Sequence, residues 1–223
     1  IKGAAENSHF NIFYADIYLL TDGKQFIWGK MKLPFIEDSS YEGQDFRERH
    51  LPIGEYENCR FIDCDFSNSN LSDCIFNDCE FSGCNLSMTK LIKTAFRGVR
   101  FTDCKMLGLL FDSCNEFGLS VSFESCILNH SSFYGLNISG TIFKDAKLQG
   151  VDFTKSVLIK AQFDRCDLTR ATFNNTNLQM ADFRTSHSFY INPEINRIKK
   201  AKFSVYGLSG LLGKYDIQID TTI

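Results

Sequence analysis

From Tyr41 onward, every fifth residue of this chain is large and almost always apolar. The series runs Tyr41, Phe46, Leu51, Tyr56, Phe61, Phe66, Leu71, Phe76, Phe81, Leu86, Leu91, Phe96, Phe101, Met106 and Phe111. It breaks once near Glu116 and resumes two residues out of phase at Phe123. It then holds through Leu128, Phe133, Ile138, Phe143, Leu148, Phe153, Leu158, Phe163, Leu168, Phe173, Leu178 and Phe183. A period of five matches neither a helix face, which repeats every 3.6 residues, nor an alternating strand, which repeats every two. Self-similarity this strict marks a repeat architecture, in which each unit buries its apolar residue against the next.

A second column lies two residues before the first and is small: Cys59, Cys64, Ser69, Cys74, Cys79, Cys84, Thr89, Thr94 and Cys104, then Cys126, Ser131, Thr141, Ala146, Ser156, Ala161, Cys166, Ala171, Thr176 and Ala181. Asp or Asn often stands just before the large residue, as at Asp65, Asn70, Asn85, Asp152, Asp167, Asn177 and Asp182. On these columns the chain resembles the pentapeptide-repeat proteins over residues 41 to about 203. That resemblance implies an all-β fold, a right-handed quadrilateral parallel β-helix with four pentapeptides per coil and both columns pointing into the tube. The spacing of like residues supports four repeats per coil. Phe61, Phe81 and Phe101 are twenty apart, and after the slip so are Phe123, Phe143, Phe163, Phe183 and Phe203.

The 223 residues, 43% of them hydrophobic, suffice for one continuous core. A formal charge of −3 gives no strong global field, which argues against direct nucleic-acid binding. The nine cysteines sit at or near the small column at spacings of five, which are not metal-ligand spacings. They read as small buried residues, and so many unpaired thiols point to a reducing compartment, the cytoplasm. No stretch has the length of a membrane span.

Residues 1–40 form a non-repeat extension or cap. Thr21-Asp22-Gly23-Lys24 between apolar runs reads as a hairpin turn, and Met31 is a candidate natural start. Residues 1–30 read equally as a cap, an upstream extension or sequence foreign to the natural chain. The repeat domain spans 41–203, with a phase break at 114–122 where Phe117 or Leu119 supplies the inward residue. A loop follows at 184–197, where Asn192-Pro193-Glu194 predicts a helical turn and Phe189 and Tyr190 either dock on the rod or meet a partner. Residues 204–223 read as a helix from Ser204 to Leu212, stopped by Gly213, then a strand over Tyr215–Ile219. Leu208, Leu211, Leu212, Tyr215, Ile217 and Ile219 are too apolar to be left in water, so they cover the last coil, join two subunits, or do both.

Charge is banded. Residues 41–86 hold ten acidic against three basic side chains, and residues 87–111 hold Lys90, Lys93, Arg97, Arg100 and Lys105 against Asp103. The acids Glu55, Glu57, Asp63, Asp65, Asp73, Asp78 and Glu80 are therefore candidates for meeting a basic partner, or else a solvated outer surface. Nothing in the sequence calls for a cofactor, a metal or catalysis. The four histidines lack ligand spacing, Cys126 and His130 do not share a face, and no phosphate-binding glycine motif occurs. Within its family the chain is similar to the quinolone-resistance proteins, on Cys84-Asn85-Leu86-Ser87-Met88 and on the C-terminal segment around Gly210-Leu211-Leu212. That likeness implies a homodimeric, DNA-mimicking rod that binds DNA gyrase or topoisomerase IV. The alternative is an interaction scaffold for a different protein partner, and a polysaccharide-acting β-helix enzyme is the least favoured reading.

Overall fold

A computed structural model describes residues 33–218. The hairpin expected at Thr21–Lys24, the candidate start at Met31 and the dimerisation candidate Ile219 lie outside the described residues. In chain order the strands are β1 (Phe35–Glu37), β2 (Ser40–Glu42), β3 (Glu55–Glu57), β4 (Arg60–Ile62), β5 (Ile75–Asn77), β6 (Glu80–Ser82), β7 (Ala95–Arg97), β8 (Val99–Thr102), β9 (Val121–Glu124), β10 (Ile142–Lys144) and β11 (Gln162–Asp164). One sheet pairs β1-β3-β5-β7, and a second pairs β2-β4-β6-β8-β9-β10-β11, every pairing parallel. Register is one coil per twenty residues, as in Phe61↔Phe81 and Phe143↔Phe163. Single parallel bridges such as Asp65↔Asn85 and Ser132↔Asp152 continue the pairing on the other two faces. The result is a four-sided parallel β-solenoid. Face one carries the row of Ile36 and Tyr56, face two that of Tyr41 and Phe61, face three that of Phe46 and Phe66, and face four that of Leu51 and Leu71. Because β1 already pairs with β3, the solenoid starts one pentapeptide earlier than Tyr41.

Each element of the repeat has a physical task. The large residue fills the tube, and the rows from Phe61 to Phe183 are almost wholly buried. The small residue donates to a carbonyl of the coil before: the Cys79 thiol to Tyr56 at 3.3 Å, the Cys84 thiol to Phe61 at 3.3 Å, the Thr89 hydroxyl to Phe66 at 2.7 Å and the Ser186 hydroxyl to Phe163 at 2.7 Å. That is why Cys, Ser and Thr share the column with Ala: a buried carbonyl needs a donor. The Asp or Asn before the large residue accepts a backbone N–H two residues on, as Asp65 does from Ser67 at 2.8 Å and Asp152 from Thr154 at 2.8 Å. Corners turn through a residue with positive φ, among them Asp63, Asp73, Asp78 and Lys160. At Gly98 the requirement is double. Its φ is +67°, and an added Cβ would lie 2.2 Å from Asp78 Oδ1.

The two-residue slip is confined to one face. On face two the register passes from Phe101 directly to Phe123, so the ladder Tyr41-Phe61-Phe81-Phe101-Phe123-Phe143-Phe163-Phe183-Phe203 stacks without interruption at 4.6–5.4 Å between ring centroids. The extra residues bulge out of face one between Phe96 and Ile138. Of the two residues expected to fill the tube there, Leu119 packs against the core and Phe117 does not, being 79% exposed. A second aromatic stack changes sides at the same place, from face one (Tyr56, Phe76, Phe96) to face four (Phe111, Phe133, Phe153, Phe173).

The stretch expected as a loop at 184–197 is a further coil. Ser186, Ile191 and Asn196 are buried and continue the small column, and Asn196 Nδ2 donates to the Phe173 carbonyl at 3.0 Å. Only the large column is altered, and Phe189, one residue late, packs 5.6 Å from both Phe183 and Phe203. Asn192 Oδ1 accepts from Glu194 N at 3.0 Å, which gives a turn at Pro193–Ile195 rather than a helix. The C-terminal segment also departs from expectation. Ser204 does cap, its hydroxyl accepting from Gly207 N at 3.2 Å, but the helix comes in three short pieces. These are a 3-10 turn at Val205–Gly207, α1 (Ser209–Leu212) and a 3-10 turn at Gly213–Tyr215. Gly213 stays right-handed and the stop falls at Asp216, with φ 49°, so Tyr215 is helical and the expected strand does not form over the described residues.

Candidate interaction surface

The acidic candidates encircle the N-terminal coils instead of forming one patch. Glu55 and Glu57 flank Tyr56 on face one, where Glu55 Oε1 accepts from Asn77 Nδ2 at 3.0 Å. Asp63, Asp73 and Asp78 are three separate corners, each with the positive φ that its turn needs. Asp65 lies on face three, 3.6 Å from Arg47 Nε. Glu80 lies on face two between Arg60 at 3.7 Å and Arg100 at 3.4 Å. Much of the charge on face two is compensated in this way, as Lys144 pairs with Glu124, Arg165 with Asp145 and Asp164, and Arg184 and Lys202 with Asp182. The guanidinium of Arg184 beside Asp182 holds that carboxyl below its ordinary range.

The aromatic pair divides. Phe189 is buried and Tyr190 is half exposed beside Gly213. Of the expected C-terminal surface, Leu211 packs against the core and Leu212 is half-buried, while Leu208, Tyr215 and Ile217 are exposed. Val205 and Tyr206, which no periodicity in the sequence singles out, are the most open apolar residues of this end, Tyr206 at 90%.

Concave features are shallow. An open polar groove of about 450 Å³ runs along the corner between faces one and two, lined by Asp38, Asn58, Arg60, Asp78, Glu80 and Arg100. Its Glu80 is occupied by two guanidinium groups, which suits it poorly to proton transfer. At the C-terminal end His187 approaches both Ser188 Oγ (3.1 Å) and Asp167 Oδ1 (3.9 Å), but through the same ring nitrogen, Nδ1. A relay of the serine-hydrolase kind needs the two partners on opposite nitrogens. The thiols are buried in the wall of the tube. Burial pushes Cys74 up to about 11 and Cys79 and Cys166 up to about 12, leaving them protonated and unreactive at neutral pH. Among the described residues no group of His, Cys, Asp and Glu could hold a metal ion.

The sequence signature of the pentapeptide repeat region matches residues 55–116 and 110–183. The chain belongs to the pentapeptide-repeat family. Among curated proteins it is 31% identical over 106 residues to the pentapeptide repeat protein MfpA of Mycobacterium tuberculosis, covering 46% of this chain and 55% of MfpA. The chain thus spans about half the length of the curated relative it matches. Among solved structures, the rod is similar to a trypsin-treated variant of QnrB1, a plasmid-mediated fluoroquinolone resistance protein, with a TM-score of 0.57 at 16% identity over 84% of this chain and 100% of that one. It is also similar to HetL, a pentapeptide repeat protein involved in heterocyst differentiation regulation from Nostoc sp. strain PCC 7120, with a TM-score of 0.51 at 14% identity over 78% of this chain and 86% of HetL. At these identities the likeness is one of fold. No helix of the described residues is long and apolar enough to cross a membrane.

Proposed function

We propose that this protein is a non-enzymatic binding rod that engages a type II topoisomerase through its acidic N-terminal coils, presenting a DNA-like surface and altering quinolone susceptibility. The observation that carries the reading is the fold match to QnrB1, a fluoroquinolone resistance protein whose trypsin-treated chain is covered in full by the pentapeptide rod. The acids encircling the first coils support it, since a rod with carboxylates on several sides is what a cleft built for a polyanion would accept. In this reading the protein works in the cytoplasm, in keeping with its free thiols. It works as a homodimer joined at the C-terminal end, where Val205, Tyr206, Leu208, Tyr215 and Ile217 are open to solvent. The deciding experiment is a supercoiling assay with purified DNA gyrase, with and without a fluoroquinolone, run across a salt series. Dose-dependent inhibition or drug protection that fades with salt supports the reading, and no effect at tenfold molar excess refutes it.

A second reading has its own support. The likeness to HetL, a protein involved in the regulation of differentiation, is nearly as close in fold. The same rod would then be a scaffold for a different protein partner, and gyrase would be indifferent to it.

A further inference from the structure

Face one is charged differently along its length, and its charges are unpaired. Four rows lie on each side of the bulge: Ile36, Tyr56, Phe76 and Phe96 before it, then Ile138, Leu158, Leu178 and Ile198 after it. Before the bulge this face and its corners expose Glu37, Asp38, Asp73 and Asp78 against the single exposed base Lys93, with Glu55, Glu57 and Arg97 half-buried, so carboxylates outnumber bases there. After the bulge they expose Lys155, Lys160, Arg197, Lys199 and Lys200, and no carboxylate stands on the face itself. Among the described residues none of these groups makes an ion pair within the chain, although face two pairs most of its own. At the midpoint Phe117 stands out on an ordered bulge. Arg97 lies over its ring at 5.8 Å and donates to its carbonyl at 3.3 Å, and Asn115 Oδ1 accepts from its N–H at 3.0 Å.

We propose that face one is a self-complementary surface through which two copies of this chain pack side by side and antiparallel. Place two rods face to face with a dyad across them at the bulge. The dyad exchanges rows equidistant from the bulge and leaves each corner on its own side. The Phe76 row then meets the partner's Leu158 row, so Asp78 faces the Lys160 position and Asp73 the Lys155 position of the other copy. The Ile36 row meets the Ile198 row, which sets Asp38 opposite the Lys200 position and Glu37 opposite the Lys199 position. Between the charges, Ile75 meets the Val157 position. The two copies of Phe117 come together on the dyad, where an apolar anchor ringed by charge is the usual anatomy of a small interface. A polyanion or polycation is a poorer fit, because each is repelled by one half of the face. This pairing is separate from the topoisomerase reading and from the C-terminal contact proposed with it.

The corners already accept lysine at positive φ, at Lys155, Lys160 and Lys200, so charge can be exchanged there without asking a new backbone conformation of the substituted residue. One variant carries Asp73→Lys and Asp78→Lys, and a second carries Lys155→Asp and Lys160→Asp. Each also carries Ser125→Cys, an exposed corner between faces two and three, off the pairing surface and level with the bulge, for a donor or acceptor dye; the native thiols are buried and stay unlabelled. Either variant mixed with itself sets like charge against like, whereas the two mixed together restore all the pairs. The expected result is energy transfer in the cross-mixture at least about threefold above either self-mixture, fading as salt rises from about 0.05 to about 0.5 M and the screening length contracts. Parent protein labelled at Ser125→Cys should show the same salt-sensitive transfer. An end-to-end dimer buries none of the exchanged charges, so its transfer is the same in every mixture. Transfer equal in all mixtures, or absent from the parent protein at low salt, overturns the proposal. Circular dichroism melts of both variants establish that they are folded, and cross-complementation itself requires it. Supercoiling activity is read separately, so loss of one result leaves the other intact.

Discussion

Phe143 sits in the middle of the uninterrupted ladder, and its replacement by alanine tests the core directly. The ring is fully buried. It stacks on Phe123 at 5.2 Å with 10° between planes and on Phe163 at 5.0 Å with 7°, and it meets Phe133 and Phe153 edge-on at 5.9 Å each. Removing a buried phenylalanine costs about 3–5 kcal/mol, and each aromatic pair adds about 0.5–1.5 kcal/mol beyond its area. Phe143→Ala therefore belongs at the upper end, about 5 kcal/mol. In a solenoid the energy is a sum of neighbouring-coil terms, so the damage should be local as well as large. Urea denaturation gives the total, and amide hydrogen exchange gives its place. Amides of β9, β10 and β11 should exchange faster, while those of β3 and β4 keep their protection. A loss below about 1 kcal/mol, or uniform deprotection along the rod, would refute the reasoning.

Phe117→Ala is the counterpart on the bulge, and its stability should stay within about 0.5 kcal/mol of the parent by the same denaturation assay. Gly98→Ala should lower the thermal midpoint clearly more than Gly140→Ala. Both have positive φ, but the new methyl at Gly98 would collide with Asp78 while Gly140 opens on empty space. Alkaline pH should destabilise the protein. Cys74, Cys79, Cys114 and Cys166 hold their protons in the fold up to about 11 or 12, whereas the ordinary thiol value is 9.0. The folded state thus binds protons that the unfolded chain sheds, so this contribution is intact below about 9 and is lost as pH rises from there toward about 12, measurable as a falling urea midpoint. A thiol reagent at pH 8 should label few of the nine cysteines in the native protein and all of them in denaturant.

The fold was legible in the sequence because a period of five and a coil of twenty leave few other solutions. The column of Phe61, Phe81 and Phe101 already carries the register that β4, β6 and β8 adopt. Where the period lapses, local cues competed and misled. Ser188 and Pro193 at large-column positions made 184–197 look like a loop, although Ser186, Ile191 and Asn196 were keeping the small column; following that column alone would have found the extra coil. Tyr215-Asp216-Ile217 alternates like a strand, yet beyond the last coil no neighbour is in register to pair with it, and a helical turn forms instead. Nor do charge counts along the chain reveal which face a residue occupies. Asp73 and Asp78 fall in the same acidic run as Glu80, but Glu80 turns onto the face where arginines await it. Only sorting residues by their position in the twenty-residue coil separates them.

A chain whose every coil meets only the coil above and the coil below can be lengthened or shortened by whole coils. Excising residues 142–161 would seat the Phe123 row directly on the Phe163 row and keep the phenylalanine stack continuous, while Glu124 would exchange its Lys144 partner for Asp164. The molecule is in this sense a ruler, graduated in steps of about 4.8 Å. The bulge fixes its zero mark. With equal numbers of coils on either side, Phe117 reads the midpoint of the scale. A coil added on one side alone would keep the register of twenty and still move that mark off centre, so the count of repeats, and not only their sequence, specifies what lies at equal distances from it.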